Sequence, residues 1–418
     1  MPGRSVYVMT SSAAGHRNSD SPDSGRTKDW CDSGAVAITG PASGPVKIPN
    51  GSAATWAQQA ASVLNTVPGT AGTLDGAALL AERAAFTGWT RRGKTSLGGY
   101  ARLLPTADGW AAISSARPDD PALLGALVGS SNDGDPWPSL ERWLSSRTRA
   151  EIDERLDLLG IAGGYIAAEP TASTPFPTSV RSVEGAVVID FSALWAGPLC
   201  AQLLGSAGAH VIKFETPQRP DGARFGHRGF YDLLHGGHES VVLDPSVATE
   251  RESLRRLVDS ADIVIEASRP AALARFGLDA ERYASRGTTW LSITAYGRSS
   301  NRIGFGDDVA AACGLVAEDS DGTPLFAGDA IADPLTGLRA AVCAVDAVNE
   351  GRGKVWDISM AETVSSTLGD GHDARMPQWC ECESVRTPRH REVTRDSHPS
   401  GVDTGAVLER IDTRKVIL

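Results

Sequence analysis

Between residues 186 and 296 short apolar runs and helix-like stretches alternate, and no other feature restricts the fold as tightly. The runs fall at 186–191, 210–214, 240–243, 262–266 and 289–296, with helical spacing at 199–206, 249–260 and 270–276 between them. Strands that are apolar along their length, joined through helices, form a parallel sheet covered on both faces. The expected class is therefore α/β, with a Rossmann-like parallel sheet as the large domain. At 418 residues the chain exceeds one ordinary core, so a second unit is expected. A strand at 108–114 and helices at 118–129, 138–146 and 149–159 supply it, as a smaller α+β domain.

The expected divisions follow from composition. Residues 1–28 are Ser-, Gly- and Asp-rich without periodicity and read as disordered. Residues 29–170 hold a degenerate repeat and the small domain, 171–184 have the Pro/Ser/Thr bias of a linker, and 185–370 form the large domain. Residues 371–418 read as an irregular tail with a short helix near 405–411.

The net charge of −11 argues against a broad nucleic-acid or membrane surface. No apolar run approaches the length that spans a bilayer, and the first twenty residues lack the apolar core of a secretory signal. Six cysteines in so long a chain make no disulfide framework, and Cys200, Cys313 and Cys343 sit among small apolar residues. Cys380 and Cys382, with His372 and His390 nearby, match no zinc spacing, so no metal is expected. A reduced, cytoplasmic protein is the expectation.

The chemistry centres on 326–341, FAGDAIADPLTGLRAA. Leu335, Leu338, Val342 and Val345 have helical spacing, and Pro334 suits a first helical position. Asp333 is then the N-cap, its carboxylate facing free N–H groups and the positive end of the helix dipole. A carboxylate held so stays ionised at neutral pH, as a nucleophile must. A plain helix cap is the competing reading. Against it, residues 313–345 echo 33–64, and the earlier copy has Ala53 or Ala54 where the later one has Asp333.

Two motifs mislead. GWTRRGKT (88–95) matches the phosphate-loop pattern, but a helix-like stretch precedes it where a strand is required. The turn SALWAGP (192–198) lacks the three-glycine dinucleotide fingerprint, and Trp195 and Pro198 would block pyrophosphate. His235 and His238 in LHGGHES read as turn residues.

Several stretches in order resemble the class III coenzyme A transferases, a family that includes formyl-CoA transferase, carnitine CoA-transferase and α-methylacyl-CoA racemase. They are AGPLCAQLLGSAGAHVIKFETPQRPDGAR (196–224), SVVLDPS (240–246), ADIVIEASRPAALARFGLDAERY (261–283), GFGDDVA (304–310), the Asp333 stretch and GRGKVWDISMAET (351–363). Residues 75–168 resemble the family's small domain, here placed before the large one. The resemblance implies that Asp333 attacks an acyl-CoA thioester and that CoA passes, through an aspartyl anhydride and an aspartyl-CoA thioester, to a small carboxylic acid. It implies Gly98 and Gly99 as a glycine-rich loop serving the oxyanion, and Trp195 and Ala196 beside the thioester. Arg224, Arg269, Arg275, Phe276 and Tyr296 would hold CoA, which is substrate and not a resident cofactor. A homodimer is implied in the same way. A non-catalytic CoA-binding paralogue is the alternative. The chain departs from the family at His235–Glu239, where a basic turn is usual, and at Gly306-Asp307-Asp308, where the racemases carry Gly-His-Asp. The second departure disfavours racemisation.

Overall fold

The computed structural model describes residues 22–129, 135–167, 169, 171–172, 174–268, 270–347, 353–369 and 384–417. The chain opens with helices α1 (Pro22–Ser33), α2 (Ala53–Leu64), α3 (Gly76–Leu79) and α4 (Glu82–Thr87). Strands β1 (Ala101–Pro105) and β2 (Trp110–Ser114), helices α5 (Asp120–Val128), α6 (Trp137–Leu144) and α7 (Arg149–Leu159), and strand β3 (Gly163–Tyr165) make the small α+β unit. Its sheet is antiparallel in the order β1-β2-β3, with a core of its own around Ile113, Leu124, Leu140 and Ile152.

The large unit follows the alternation. It runs β4 (Val187–Asp190), α8 (Ala196–Ser206), β5 (His210–Glu215), α9 (Arg228–His235), β6 (Glu239–Val242), α10 (Ala248–Asp259) and β7 (Ile263–Glu266). Next come α11 (Pro270–Ala274), α12 (Ala280–Ala284), β8 (Thr289–Thr294) and α13 (Gly306–Ala312). The hairpin β9 (Val316–Glu318) and β10 (Pro324–Phe326), then α14 (Ala332–Val345), β11 (Lys354–Ser359), α15 (Met360–Ser365) and α16 (Thr404–Ile417) complete it. The six-stranded sheet has the order β11-β8-β7-β4-β5-β6, parallel throughout. That is the doubly wound order, with its switch point beside β4, where such sheets bind ligands. Residues of β4 alternate between the faces: Val188 packs with α8, α14 and the N-terminal helices, while Val187 and Ile189 pack with α10. Trp30, Ala57, Leu79 and Leu80 share the first of these cores with Leu199, Leu335 and Leu338.

Three readings are corrected. Residues 22–28, expected to be disordered, begin α1; that helix is anchored by Trp30, fully buried with its indole N–H donating to the Gly51 carbonyl at 3.0 Å. Lys28, one of the charged residues read as disorder, is exposed on that helix. The tail is also more ordered than expected. From 384 to 403 it runs as a strap, first over α1, α3 and α4 and then over the large unit, before entering α16, whose Val407 and Ile411 pack into the sheet's second core. Asp403 Oδ2 and Thr404 Oγ1 accept from Ser240 N (2.8 Å) and Val242 N (3.0 Å), occupying the open edge of β6. Last, Cys31 is disulfide-bonded, whereas Cys200, Cys313 and Cys343 are free and buried.

Under the loop that follows β4 lies a buried charge network. The Lys213 ammonium sits 3.4 Å from Asp190 and 3.0 Å from Asp221, and donates to the Ser192 carbonyl. Burial opposes its charge, but the two aspartates outweigh burial and hold the ammonium ionised. Asp221 in turn accepts from Leu194 N at 3.0 Å, which fixes the loop. His235 and His238, read as turn residues, close this layer with 2% and 6% exposure. Burial, then the Lys213 charge, keeps both neutral, and His238 is pushed down to about 3. Unfolded histidine takes its proton near 6.5, so stability is lost as pH falls below that value toward the folded one, by about 1.4 kcal/mol per pH unit per histidine. His238→Gln is expected to flatten the fall in Tm between pH 6.5 and 4, measured by calorimetry against the parent chain.

Candidate active site

Asp333 lies in the first turn of α14, but as its second residue: Ile331 is the N-cap and Pro334 the third helical residue. The helix starts early because the chain turns at Ala330, which adopts φ +44° without being glycine. A second such residue, Leu194 at φ +70°, lies in the loop after β4. Each costs on the order of 1–3 kcal/mol, and such strain collects where geometry serves function. In α2 the second residue is Ala54, so the two helices of the echo present alanine and aspartate at the same helical position.

Asp333 is half-buried and takes a hydrogen bond from the Ala196 N–H at the start of α8. Two more carboxyls stand with it. Asp329 is fully buried and forks with Arg83, Nε to Oδ2 at 2.9 Å and Nη2 to Oδ1 at 2.6 Å. Asp307, half-buried, accepts from Ala330 N at 2.8 Å and from the Ser96 hydroxyl. The Arg83 guanidinium also lies 4.9 Å from the Trp195 ring centre and 5.6 Å from that of Trp89. One guanidinium thus faces three carboxyls. Burial pushes Asp333 up to about 7; Arg83 and the Ala196 N–H oppose the rise, while Asp307 and Asp329 add to it. Asp307 rises to about 6, by burial and by Asp329. The expectation of an Asp333 ionised throughout the neutral range is therefore corrected: the dipole of one helix is set against desolvation and two like charges.

Gly306 makes the arrangement possible. A Cβ there would collide with Asp333 Oδ2 and with the Ala330 carbonyl. Gly306→Ala must displace the carboxyl, and a displacement of about 1 Å costs roughly 100-fold in rate. If this carboxyl carries the reaction, that loss in kcat, with circular dichroism unchanged, is the expected outcome.

The other residues singled out in the sequence distribute around this centre. Trp195 caps α8, buried under Arg83, and Ala196 touches Asp333 directly. Gly98 and Gly99 follow Ser96, whose hydroxyl reaches Asp307; the Gly99 N–H is used on the Ser96 carbonyl at 2.9 Å. Arg224 forks onto buried Glu215, Nε to Oε1 at 2.9 Å, with its guanidinium 4.8 Å from the Tyr231 ring centre. Arg275 is exposed and Phe276 half-buried, just past α11. Tyr296, after β8, stacks under the Arg302 guanidinium at 4.1 Å. Arg269 lies outside the described residues, as do Cys380, Cys382 and His372. Trp195, Arg224, Arg275 and Tyr296 all follow carboxyl ends of parallel strands, the edge where such sheets bind ligands. Among the described residues no group of histidine, cysteine and carboxylate side chains is arranged to hold a metal, and no helix is long and apolar enough to cross a membrane.

Arg83, Asp307 and Asp329 were not singled out as site residues. The signals were there in part: Glu82 and Arg83 interrupt an otherwise apolar helix, and Asp329 stands one turn's length before Asp333.

A model of CoA-transferase family III matches residues 183–394, and the chain belongs to that family. Among curated relatives it is 29% identical over 221 residues to the succinate–glutarate CoA-transferase of Agrobacterium fabrum, covering 47% of this chain and 55% of that protein. It is 30% identical over 206 residues to the succinyl-CoA–D-citramalate CoA-transferase of Chloroflexus aurantiacus, covering 45% and 51%. Among solved structures, a CAIB/BAIF family protein from Brucella suis aligns with 26% identity and a TM-score of 0.42, over 46% of this chain and 56% of that one. The chain spans about half the length of the curated relatives it matches.

Proposed function

We propose that the protein transfers coenzyme A from an acyl-CoA thioester to a small carboxylic acid, with Asp333 as nucleophile. The observation that carries this reading is a half-buried carboxyl at a helix start, touched by the Ala196 N–H and flanked by Arg83. A carboxylate Oδ attacks the thioester carbonyl, the C–S bond breaks, and CoA leaves as thiolate, giving a mixed anhydride. The thiolate then attacks the aspartyl carbonyl and the first acid departs as carboxylate. The acceptor carboxylate repeats the sequence in reverse. Both directions conserve charge and consume no nucleotide, because each bond broken is replaced by one of similar energy.

Chain segments supply the remaining needs. On this reading the Gly98 N–H and the start of α8 supply the backbone donors for the oxyanion. Trp195 and Ala196 border the thioester, and Arg275, Phe276 and Tyr296 at the sheet's carboxyl edge take the CoA moiety, with Arg269 and Arg224 toward its phosphates. For Arg224 this means sharing its guanidinium with Glu215. The names of the relatives make dicarboxylic acids the first acceptors to test.

The test is a panel of succinyl-, acetyl-, isobutyryl- and benzoyl-CoA against mixed carboxylic acids, read by mass spectrometry. New thioesters with the parent chain and none with Asp333→Ala support the proposal. No exchange with any pair, together with no CoA binding at millimolar ligand, would leave a paralogue without turnover.

A further inference from the structure

Helix α4 carries Arg83 into the acidic cluster, yet it is only six residues long and its N-cap, Ala81, has no side-chain bond. A helix of that length does not hold its own orientation in water. Ala84 and Phe86 pack it against the core and α9, and its polar anchor beyond Asp329 comes from the C-terminal strap. Arg391 donates to the Glu82 carboxylate from its backbone N (3.0 Å), Nε (2.8 Å) and Nη2 (2.8 Å), and Glu82 is 1% exposed. Arg391 Nη1 donates to Gln202 Oε1, on α8. One turn along α4, Phe86 is stacked by His390 with ring centres 4.1 Å apart. The two helices joined by Arg391 are thus the two that serve Asp333: α4 brings Arg83, and α8 brings the Ala196 N–H. Glu82 and Arg83, adjacent in sequence, point about 100° apart around the helix. Arg391 can therefore hold α4 from outside while Arg83 works on the inside.

We propose that Arg391 is a positioning residue for Asp333: by tying Glu82 of α4 to Gln202 of α8 it keeps the Arg83 guanidinium and the Ala196 N–H trained on one carboxyl. Arg391 itself has no contact with Asp333. The fork is essential to this role, since an ammonium cannot make parallel bonds to Glu82 and still reach Gln202. The groups facing Asp333 are Arg83 from α4, Asp307 from α13, Asp329 from the turn before α14, and the start of α8. When the grip is cut, buried Glu82 is left without Arg391 and draws Arg83 toward itself. Asp333 then ionises at higher pH.

The inference rests on Asp333 being the nucleophile, and the experiment separates the two. Initial transfer rates are measured from pH 5.5 to 9 with the fastest thioester of the panel, and label at Asp333 is scored by hydroxylamine trapping at pH 8. Arg391→Met is expected to raise the midpoint of the acid limb by about one unit, cutting the rate at pH 6 up to tenfold. KM for the thioester at pH 8.5 stays near the parent value. Arg391→Lys gives an intermediate midpoint. A folded Arg391→Met with the parent midpoint overturns the inference, whatever its Tm. If that variant does not fold, an unshifted midpoint in Arg391→Lys overturns it instead. Absence of label at Asp333 in the parent chain removes the nucleophile reading, and the inference with it.

Discussion

Asp333→Ala is expected to lower CoA transfer by roughly 10⁴-fold or more, the loss typical of removing a covalent nucleophile. The side chain lies half-buried against Ala196 and Gly306, so truncation to alanine leaves a small gap and the fold persists. The parent chain has a second signature. On the proposed route attack requires the carboxylate, and burial with Asp307 and Asp329 holds the proton on until pH reaches about 7. The rate of the first acyl transfer should therefore fall about tenfold per unit below that pH and level off above it. An acid limb near 4, the ordinary range for aspartate, would mean that the cluster opens to water before reaction. Single-turnover release of CoA across pH measures this directly.

The second large effect is on stability. Lys213→Met is expected to cost about 3–5 kcal/mol, because it strands two buried carboxylates without their cation. Asp190 is wholly buried and Asp221 is 2% exposed. Both are oriented around the ammonium, and through Asp221 it holds the loop that ends in Trp195 and Ala196. Denaturant titration should show the midpoint falling with an unchanged m-value. Activity should fall by more than the unfolded fraction accounts for, since the Ala196 N–H loses its aim at Asp333.

Much of the large unit was legible because its strands are buried on both faces, which writes them as continuous apolar runs. β11 was not separately read: Lys354 and Asp357 interrupt the run, and the strand is fixed by pairing along β8. The strap had no signal at all. Its order comes from side chains whose partners lie far away in sequence, as with Arg391 and Glu82, 309 residues apart, or Ser397 and Asp232, 165 apart, and local composition cannot report such contacts. Asp333 could be singled out because a helix start and a family resemblance coincide there. Its ionisation could not, since Arg83, Asp307 and Asp329 converge on it from three separate segments. The same reason explains the buried histidines. His235-Gly-Gly-His238 has the composition of an exposed turn, but Tyr231, Gly205 of α8 and the strap crossing at Gly236 cover it.

The most direct measurement is peptide mass spectrometry of the parent chain treated with hydroxylamine, with and without acyl-CoA. A modified Asp333 that requires the thioester, and is lost in Asp333→Ala, is the predicted result. A modification carried by any other residue, or one that forms equally well without thioester, contradicts a covalent aspartyl route.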